Sequence, residues 1–342
     1  MGTSIVAEAV NMNSLFFFVL LASVLNAAAV GAGAHDAGGL SHDHYDKTCP
    51  KVEEIIRDVA SRKVLEVPNT PAGALRIFFH DCFVEGCDAS ILIASTDNNT
   101  AERDVAINLS LSGDGYDVFF RAKRAVELQC PGVVSCADVM AITTRDLVNL
   151  AGGPMWEVLK GRKDGLTSKA SRVGGNLPLV EQTLPEIISL FHSKGLSTLD
   201  MVALSGGHTI GVSHCEEFMS RIYNTNGTSF TDPTMDPSFA QKLRADCPQQ
   251  HLDPDKFTFN DVTSPFQFDN AYYRNLGKRL GLLSTDQVLT SDAETRAYVN
   301  LMASDEKGFF GFFVDAMMKM SNIGVKTGSD GEIRRECGSF NG

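Results

Sequence analysis

The chain has 342 residues, 43% of them hydrophobic, with 42 acidic against 30 basic residues and a formal net charge of −12. That acidic balance, with no Lys/Arg-rich stripe, argues against nucleic-acid binding. The length suits one large domain or two lobes, and no repeat or low-complexity linker divides it.

In chain order, the first signal is Leu15 to Leu25, an apolar run rich in Phe, Leu and Val, followed by small residues. It is too short to span a bilayer. With Ala32-Gly33-Ala34 as a small-x-small cleavage site, residues 1–34 read as a signal peptide and 35–342 as the working domain. No Lys or Arg precedes Lys47, so the usual positive lead is missing; Met12 is an alternative start with the short lead Met12-Asn13-Ser14. Removing residues 1–34 removes one charged residue, Glu8, and takes the formal charge from −12 to −11.

Past that point most segments have helical periodicity. The expected helices are Lys51–Leu65, Pro71–Phe83, Tyr116–Gln129, Cys136–Ala151, Leu184–Lys194, Thr198–Leu204, Cys215–Tyr223, Pro237–Asp246, Asn270–Arg279, Ser291–Ser304 and Glu306–Ser321. Clear strand signals are scarce, so the fold class is mostly α. Thr70 is the expected N-cap of the second helix, with Pro71 at its first position. All eight cysteines follow position 48 and are dispersed. This favours disulfides in an oxidising compartment over a compact zinc motif, but about 105 pairings are open.

The run Arg76-Ile77-Phe78-Phe79-His80-Asp81-Cys82 carries the first chemistry. Residues at i and i+4 share a helix face, so Arg76 and His80 stand together beside Phe79. A permanent cation next to a titratable base suits a pocket where protons move and negative charge develops. The plain alternative is a core helix with an incidental Arg and His. A second histidine follows Met201-Val202-Ala203-Leu204 in Gly206-Gly207-His208-Thr209-Ile210-Gly211, and is expected at the inner end of that helix. The flanking glycines let something bulky approach the backbone. Two such histidines fit a haem sandwich, or two ligands of another metal.

Longer motifs narrow the choice. Arg76-x-x-Phe79-His80-Asp81-Cys82-Phe83-Val84-x-Gly86-Cys87-Asp88-Ala89-Ser90 resembles the distal signature of the plant secretory (class III) haem peroxidases. Leu204 to Gly211 resembles their proximal signature. Val134-Ser135-Cys136-Ala137-Asp138, Gly152-Gly153-Pro154-x-Trp156, Phe268-Asp269-Asn270-x-Tyr272-Tyr273 and Ser284-Thr285-Asp286-Gln287 match in the same order. The resemblance runs from about Tyr45 to Cys337. It implies a plant-type haem peroxidase fold, with distal and proximal helical lobes sandwiching one haem b.

The resemblance also assigns residues. It pairs Cys49–Cys130, Cys82–Cys87, Cys136–Cys337 and Cys215–Cys247, leaving no cysteine over. His208 becomes the iron ligand and Asp286 the acceptor for its other ring nitrogen. His80 becomes the acid–base catalyst for hydrogen peroxide, Arg76 the stabiliser of developing charge, and Asn108 the residue that orients His80. Pro178, in Asn176-Leu177-Pro178, offers its carbonyl to a phenolic donor. Asp81, Val84, Gly86, Asp88 and Ser90, with Glu102 through water, match one calcium site; Thr209, Asp261, Ser264, Gln267 and Asp269 match another. Ser264 departs from the threonine more usual there. Glu217 and Asn260 depart at positions close to the haem and bear on donor choice.

Asn98, Asn108 and Asn226 head Asn-x-Ser/Thr sequons. Asn98 and Asn226 are the expected glycan sites, and the inner role of Asn108 argues against glycosylation there. The expected partners are hydrogen peroxide and small phenols, with no nucleic acid, no membrane after signal cleavage, and a monomeric state. The expected location is the extracellular space or cell wall, ahead of the vacuole. Two other classes compete: a secreted metal-dependent hydrolase built on His80, Asp81 and His208, and a catalytically silent calcium-binding cell-wall glycoprotein. The hydrolase needs a third ligand, and no HExxH-like motif supplies one. The silent protein has no use for Arg76, His80, His208 and Asp286 together.

Overall fold

The computed structural model describes residues 39–224, 229–250 and 253–342, and the expected signal peptide and Asn226 lie outside them. Twelve α-helices dominate the described residues: α1 (Val52–Glu66), α2 (Thr70–Phe83), α3 (Gly113–Gln129), α4 (Cys136–Leu150), α5 (Leu184–Ser193), α6 (Thr198–Ser205), α7 (Met219–Ile222), α8 (Pro237–Asp246), α9 (Ala271–Gly277), α10 (Ser284–Gln287), α11 (Ala293–Ser304) and α12 (Glu306–Met320). One two-stranded sheet joins β1 (Val212–His214) to β2 (Phe257–Phe259), antiparallel, with Val212 opposite Phe259.

Local chemistry sets several helix starts. Ser197 and Asp200 cap α6 reciprocally, and Thr183 with Glu186 does the same for α5. Asp236 caps α8 just before Pro237, and Asp292 caps α11. Thr70 departs from its expected role. Asn69 occupies the cap position, and the Thr70 hydroxyl donates to the Val67 carbonyl at 2.8 Å.

Helices α1 to α4 pack on one another, and α6, α9, α11 and α12 form a second group. A smaller apolar cluster gathers Phe218, Phe239 and Leu243 around the Cys215–Cys247 bridge. The expected helix Cys215–Tyr223 divides into a 3-10 turn, Cys215–Phe218, and α7. The Cys215 amide still donates to Lys256 O, extending the hairpin pairing into the segment and delaying the helix.

All four disulfides join the pairs the resemblance implies. Cys136–Cys337 links positions 201 residues apart. Closing so long a loop stabilises by several kcal/mol in the chain-entropy account. Around it lie two fully buried ion pairs. Arg162 donates to Asp138 at 2.9 Å, and Arg334 faces Asp164 at 3.7 Å. Asp164 also accepts from the amides of Cys136, Ala137 and Arg334, so its charge is hydrogen-bonded as burial demands. The turn Gly206–Thr209, which follows α6, packs against α2. That contact brings the two signature histidines to one region.

Candidate active site

Helix α2 carries both distal groups. His80 is buried, while Arg76, one turn earlier, is exposed. His80 Nδ1 bonds to Asn108 Oδ1 at 2.7 Å, and Asn108 Nδ2 donates to Glu102 O at 2.7 Å. Asn108 is thereby held at both ends of its amide, and His80 Nε2 is the ring nitrogen left for chemistry. Burial, and then the Arg76 charge, push the His80 pKa down to about 3, against the upward pull of the Asn108 bond. His80 is therefore a neutral base at any ordinary pH. The Arg76 fork donates to Ser110 O at 3.1 Å and Ser110 Oγ at 3.0 Å, which fixes its plane. Phe79 lies against Phe83, with ring centroids 4.1 Å apart, and meets His80 edge-on.

His208 is not on α6 itself but in the 3-10 turn that continues it. Its Nδ1 bonds to Asp286 Oδ1 at 2.8 Å. Loss of hydration among its neighbours lowers its pKa although part of the ring stays open, but the charge and hydrogen bond of Asp286 outweigh this and the net shift is upward. The same carboxylate oxygen accepts from Tyr272 OH at 2.9 Å, and Asp286 Oδ2 accepts from Leu283 N at 3.4 Å. The His208 side chain stays 41% exposed while Asp286 is buried. The Arg76 charge acts on both His80 and His208, so the three groups share one electrostatic environment. The glycines around His208 are points of close approach, as expected, and the groups that approach are protein side chains. A side chain at Gly206 would strike Tyr273 and Phe309. One at Gly211, where φ is +94°, would meet Ala72 of α2 at 2.8 Å. Close packing of protein on protein requires both glycines.

The family model for peroxidase matches residues 56–305. The chain belongs to the peroxidase family. It is 47% identical over 327 residues to Peroxidase 65 of Arabidopsis thaliana, covering 96% of this chain and 94% of that one. It is 49% identical over 302 residues to Peroxidase 41 of the same plant, covering 88% and 91%. Peroxidase 63 of the same plant is 47% identical over 329 residues, covering 96% and 98%. This likeness places the chain in the plant secretory class, as a haem peroxidase with a mostly helical fold. Nothing in it supports the hydrolase or the silent glycoprotein.

In this peroxidase the two acidic clusters are oxygen-rich and differently built. In the distal one, Asp81 accepts from Ala89 N at 2.9 Å and Ile91 N at 3.2 Å. Asp88 Oδ1 accepts from Ser90 N at 3.0 Å, its Oδ2 pairs with Lys326, and Ser90 Oγ donates to Glu102 Oε2 at 2.9 Å. Gly86 has a φ of +133° and lies so close to Gly324 that no side chain fits there. Only glycine meets both conditions without strain. Burial, and then the charge of Asp88, raise the Asp81 pKa well above the carboxylate range. Burial chiefly lifts Glu102 to about 7. Fully ionised, Asp81, Asp88 and Glu102 against the Lys326 ammonium would carry two negative charges, and a bound divalent cation would offset the crowding that now holds protons on Asp81 and Glu102.

In the proximal cluster the Thr209 hydroxyl stands 3.3 Å from Asp261 and 3.4 Å from Asp269. Among the described residues the buried Ser264 Oγ meets no hydrogen-bond partner, and the Ser264 carbonyl accepts from Gln267 N at 3.0 Å. The Ser264 amide donates to Asp261 Oδ1 at 3.2 Å, and a buried hydroxyl without a partner on the residue next to that carboxylate suits a hard cation. Among the described residues no three His, Cys, Asp or Glu side chains form a metal group by themselves, so hydroxyls and carbonyls such as those of Val84 and Gly86 would have to complete either shell.

Pro178 is half-buried in a loop held by Lys194 to Asn176 Oδ1 at 2.5 Å and by Ser284 Oγ to Val180 O at 2.7 Å. Glu217 is half-buried, and its charge acts on Arg76. Asn260 accepts from Ser213 Oγ at 2.7 Å and its amide donates to Gly211 O at 3.1 Å, bracing the hairpin against the His208 turn. Asn98 is exposed at a tight turn, and Asn108 is buried. Ser110, Tyr272, Ser284 and Lys326 join the site through contacts that the sequence does not announce. Tyr272 and Ser284 lie inside motifs of the resemblance, Ser110 closes the Asn108 sequon, and Lys326 lies in no motif. No helix among the described residues is long and apolar enough to cross a membrane.

Proposed function

We propose that this secretory peroxidase reduces hydrogen peroxide on its distal side and oxidises phenolic donors, such as lignin precursors, by one-electron steps. Bound haem b supplies iron that is oxidised by peroxide and reduced again one electron at a time. His208 would hold the iron through Nε2, the nitrogen its Asp286 bond leaves free. The neutral His80 takes a proton from hydrogen peroxide on Nε2 and returns it to the departing oxygen, which leaves as water. Arg76 stabilises the negative charge that develops as the O–O bond breaks. Asn108 keeps the His80 ring aimed and in the tautomer with the proton on Nδ1. The Pro178 carbonyl accepts the donor's phenolic hydroxyl. Two calcium ions, held by Asp81, Val84, Gly86, Asp88 and Ser90 (Glu102 through water) and by Thr209, Asp261, Ser264, Gln267 and Asp269, pin the backbone next to each histidine.

Residues 1–34 act as the signal peptide, Asn98 and Asn226 carry glycans, and the product is a monomer of the extracellular space or cell wall. The observation that carries this reading is the shared environment of His80, Arg76 and His208, each held by its own partner. The test is the purified protein's spectrum and turnover. A Soret band and peroxide-dependent guaiacol oxidation are expected. His80→Ala is expected to keep the band and slow the peroxide reaction by about 10²–10⁴-fold. A near-wild-type rate in that variant would remove His80 from the mechanism.

A further inference from the structure

Asp286 Oδ1 has two donors. His208 Nδ1 lies at 2.8 Å and Tyr272 OH at 2.9 Å, while among the described residues Oδ2 takes the longer bond from Leu283 N. Tyr272 is buried on α9, with its ring edge-on to His208 at 6.3 Å between centroids and edge-on to Tyr273 at 4.9 Å. Tyr273 is in turn anchored by its hydroxyl to Val202 O and Ala203 O of α6. The Tyr272 hydroxyl is thus held on one oxygen by packing on both sides.

We propose that Tyr272 is a positioning residue that tempers the proximal histidine, because its hydroxyl shares the Asp286 oxygen that polarises His208. A carboxylate oxygen divides its negative charge among the donors it accepts. Each added donor weakens its pull on the others. With Tyr272 in place, His208 Nδ1 gives up less of its proton and donates less to what its other nitrogen holds. Without the phenol, Asp286 turns its full charge on His208. A neutral donor to a charged acceptor contributes more than an ordinary hydrogen bond, so its loss is not a trivial change.

This inference rests on His208 as the iron ligand, and the experiment separates the two. The Fe(III)/Fe(II) potential is measured spectroelectrochemically in the haem-loaded wild type, Tyr272→Phe, Tyr273→Phe and Asp286→Asn, with the iron–histidine stretching band as a second readout. Tyr272→Phe is expected to lower the potential, favouring the ferric state roughly fivefold or more, and to raise the stretching frequency. Asp286→Asn shifts both the other way. Tyr273→Phe deletes a hydroxyl of equal size that bonds to carbonyls instead, and leaves both unchanged. A fluorinated tyrosine at position 272, a stronger donor, raises the potential and guards against a folding defect in the phenylalanine variant. A shift in Asp286→Asn with none in Tyr272→Phe overturns the role of Tyr272. Equal shifts in Tyr272→Phe and Tyr273→Phe reduce it to packing. No shift in any variant removes His208 as the ligand, and the inference with it.

Discussion

The acid limb of the peroxide reaction tests the distal geometry most directly. His80 works as a base only while neutral, and burial together with Arg76 brings its pKa to about 3. At pH 5 an ordinary histidine of pKa 6.5 is about 3% neutral, whereas one titrating near 3 is about 99% neutral, roughly a 30-fold difference in usable base. The wild-type rate, followed by stopped flow at fixed peroxide, is therefore expected to stay flat from neutrality to about pH 4 and fall only below it. Two substitutions move the midpoint in opposite directions. Arg76→Leu removes one of the two downward pushes, so its limb shifts to higher pH but stays below 6.5, because burial remains. Asn108→Val removes the upward pull and shifts the limb lower. The midpoint is the quantity compared, since both substitutions also lower the amplitude. A wild-type midpoint near 6.5, or one that Arg76→Leu leaves in place, would refute the account of His80 as a buried base beside a cation.

The other predictions are simpler. Asp286→Asn keeps the size of the side chain but loses the carboxylate charge; the reduction potential is expected to rise, and spectroelectrochemistry would show an unchanged or lower value if Asp286 were not the partner of His208. EDTA is expected to lower both thermal stability and peroxidase activity without immediate haem release, because an ion bound only by the folded chain stabilises it by mass action. Calcium restores both and magnesium does so poorly, and elemental analysis finds two calcium ions per chain. A fully active, equally stable, calcium-free protein would leave the clusters of Asp81 and Asp261 without an ion.

Much of this site is written in local pattern. The four-residue spacing of Arg76 and His80 places them on one helix face by geometry alone, and the periodicity of α8 gives its bounds, Pro237–Asp246, from sequence. What stayed hidden is mostly non-local. Ser110 holds Arg76 across 34 residues, and Lys326 meets Asp88 across 238, with no spacing rule to announce either. The hairpin was missed because three-residue strands are too short to show alternation. Thr70 was misread because Asn69 and Thr70 are both good caps, and only the backbone chooses between them. The glycines of the His208 turn were correctly marked as points of close approach. The neighbours, Tyr273, Phe309 and Ala72, are set by tertiary packing that no local pattern carries.

The Cys136–Cys337 bridge also sets a timetable. Its two cysteines stand 201 residues apart in the chain. At a synthesis rate of roughly 5 to roughly 20 residues each second, Cys136 waits on the order of tens of seconds for its partner to be made. Cys82 and Cys87, only five residues apart, and then Cys49 and Cys130, are complete long before that. Asp164 waits as well, since its last donor is the amide of Arg334, and Arg334 in turn holds the carbonyls of Ala89 and Cys337. Until those residues are made, the chain carries an unpaired Cys136 thiol and, from position 164 onward, a carboxylate that still lacks one of its donors. The oxidising machinery that makes the early bridges must leave Cys136 alone, or undo what it does there, until Cys337 emerges.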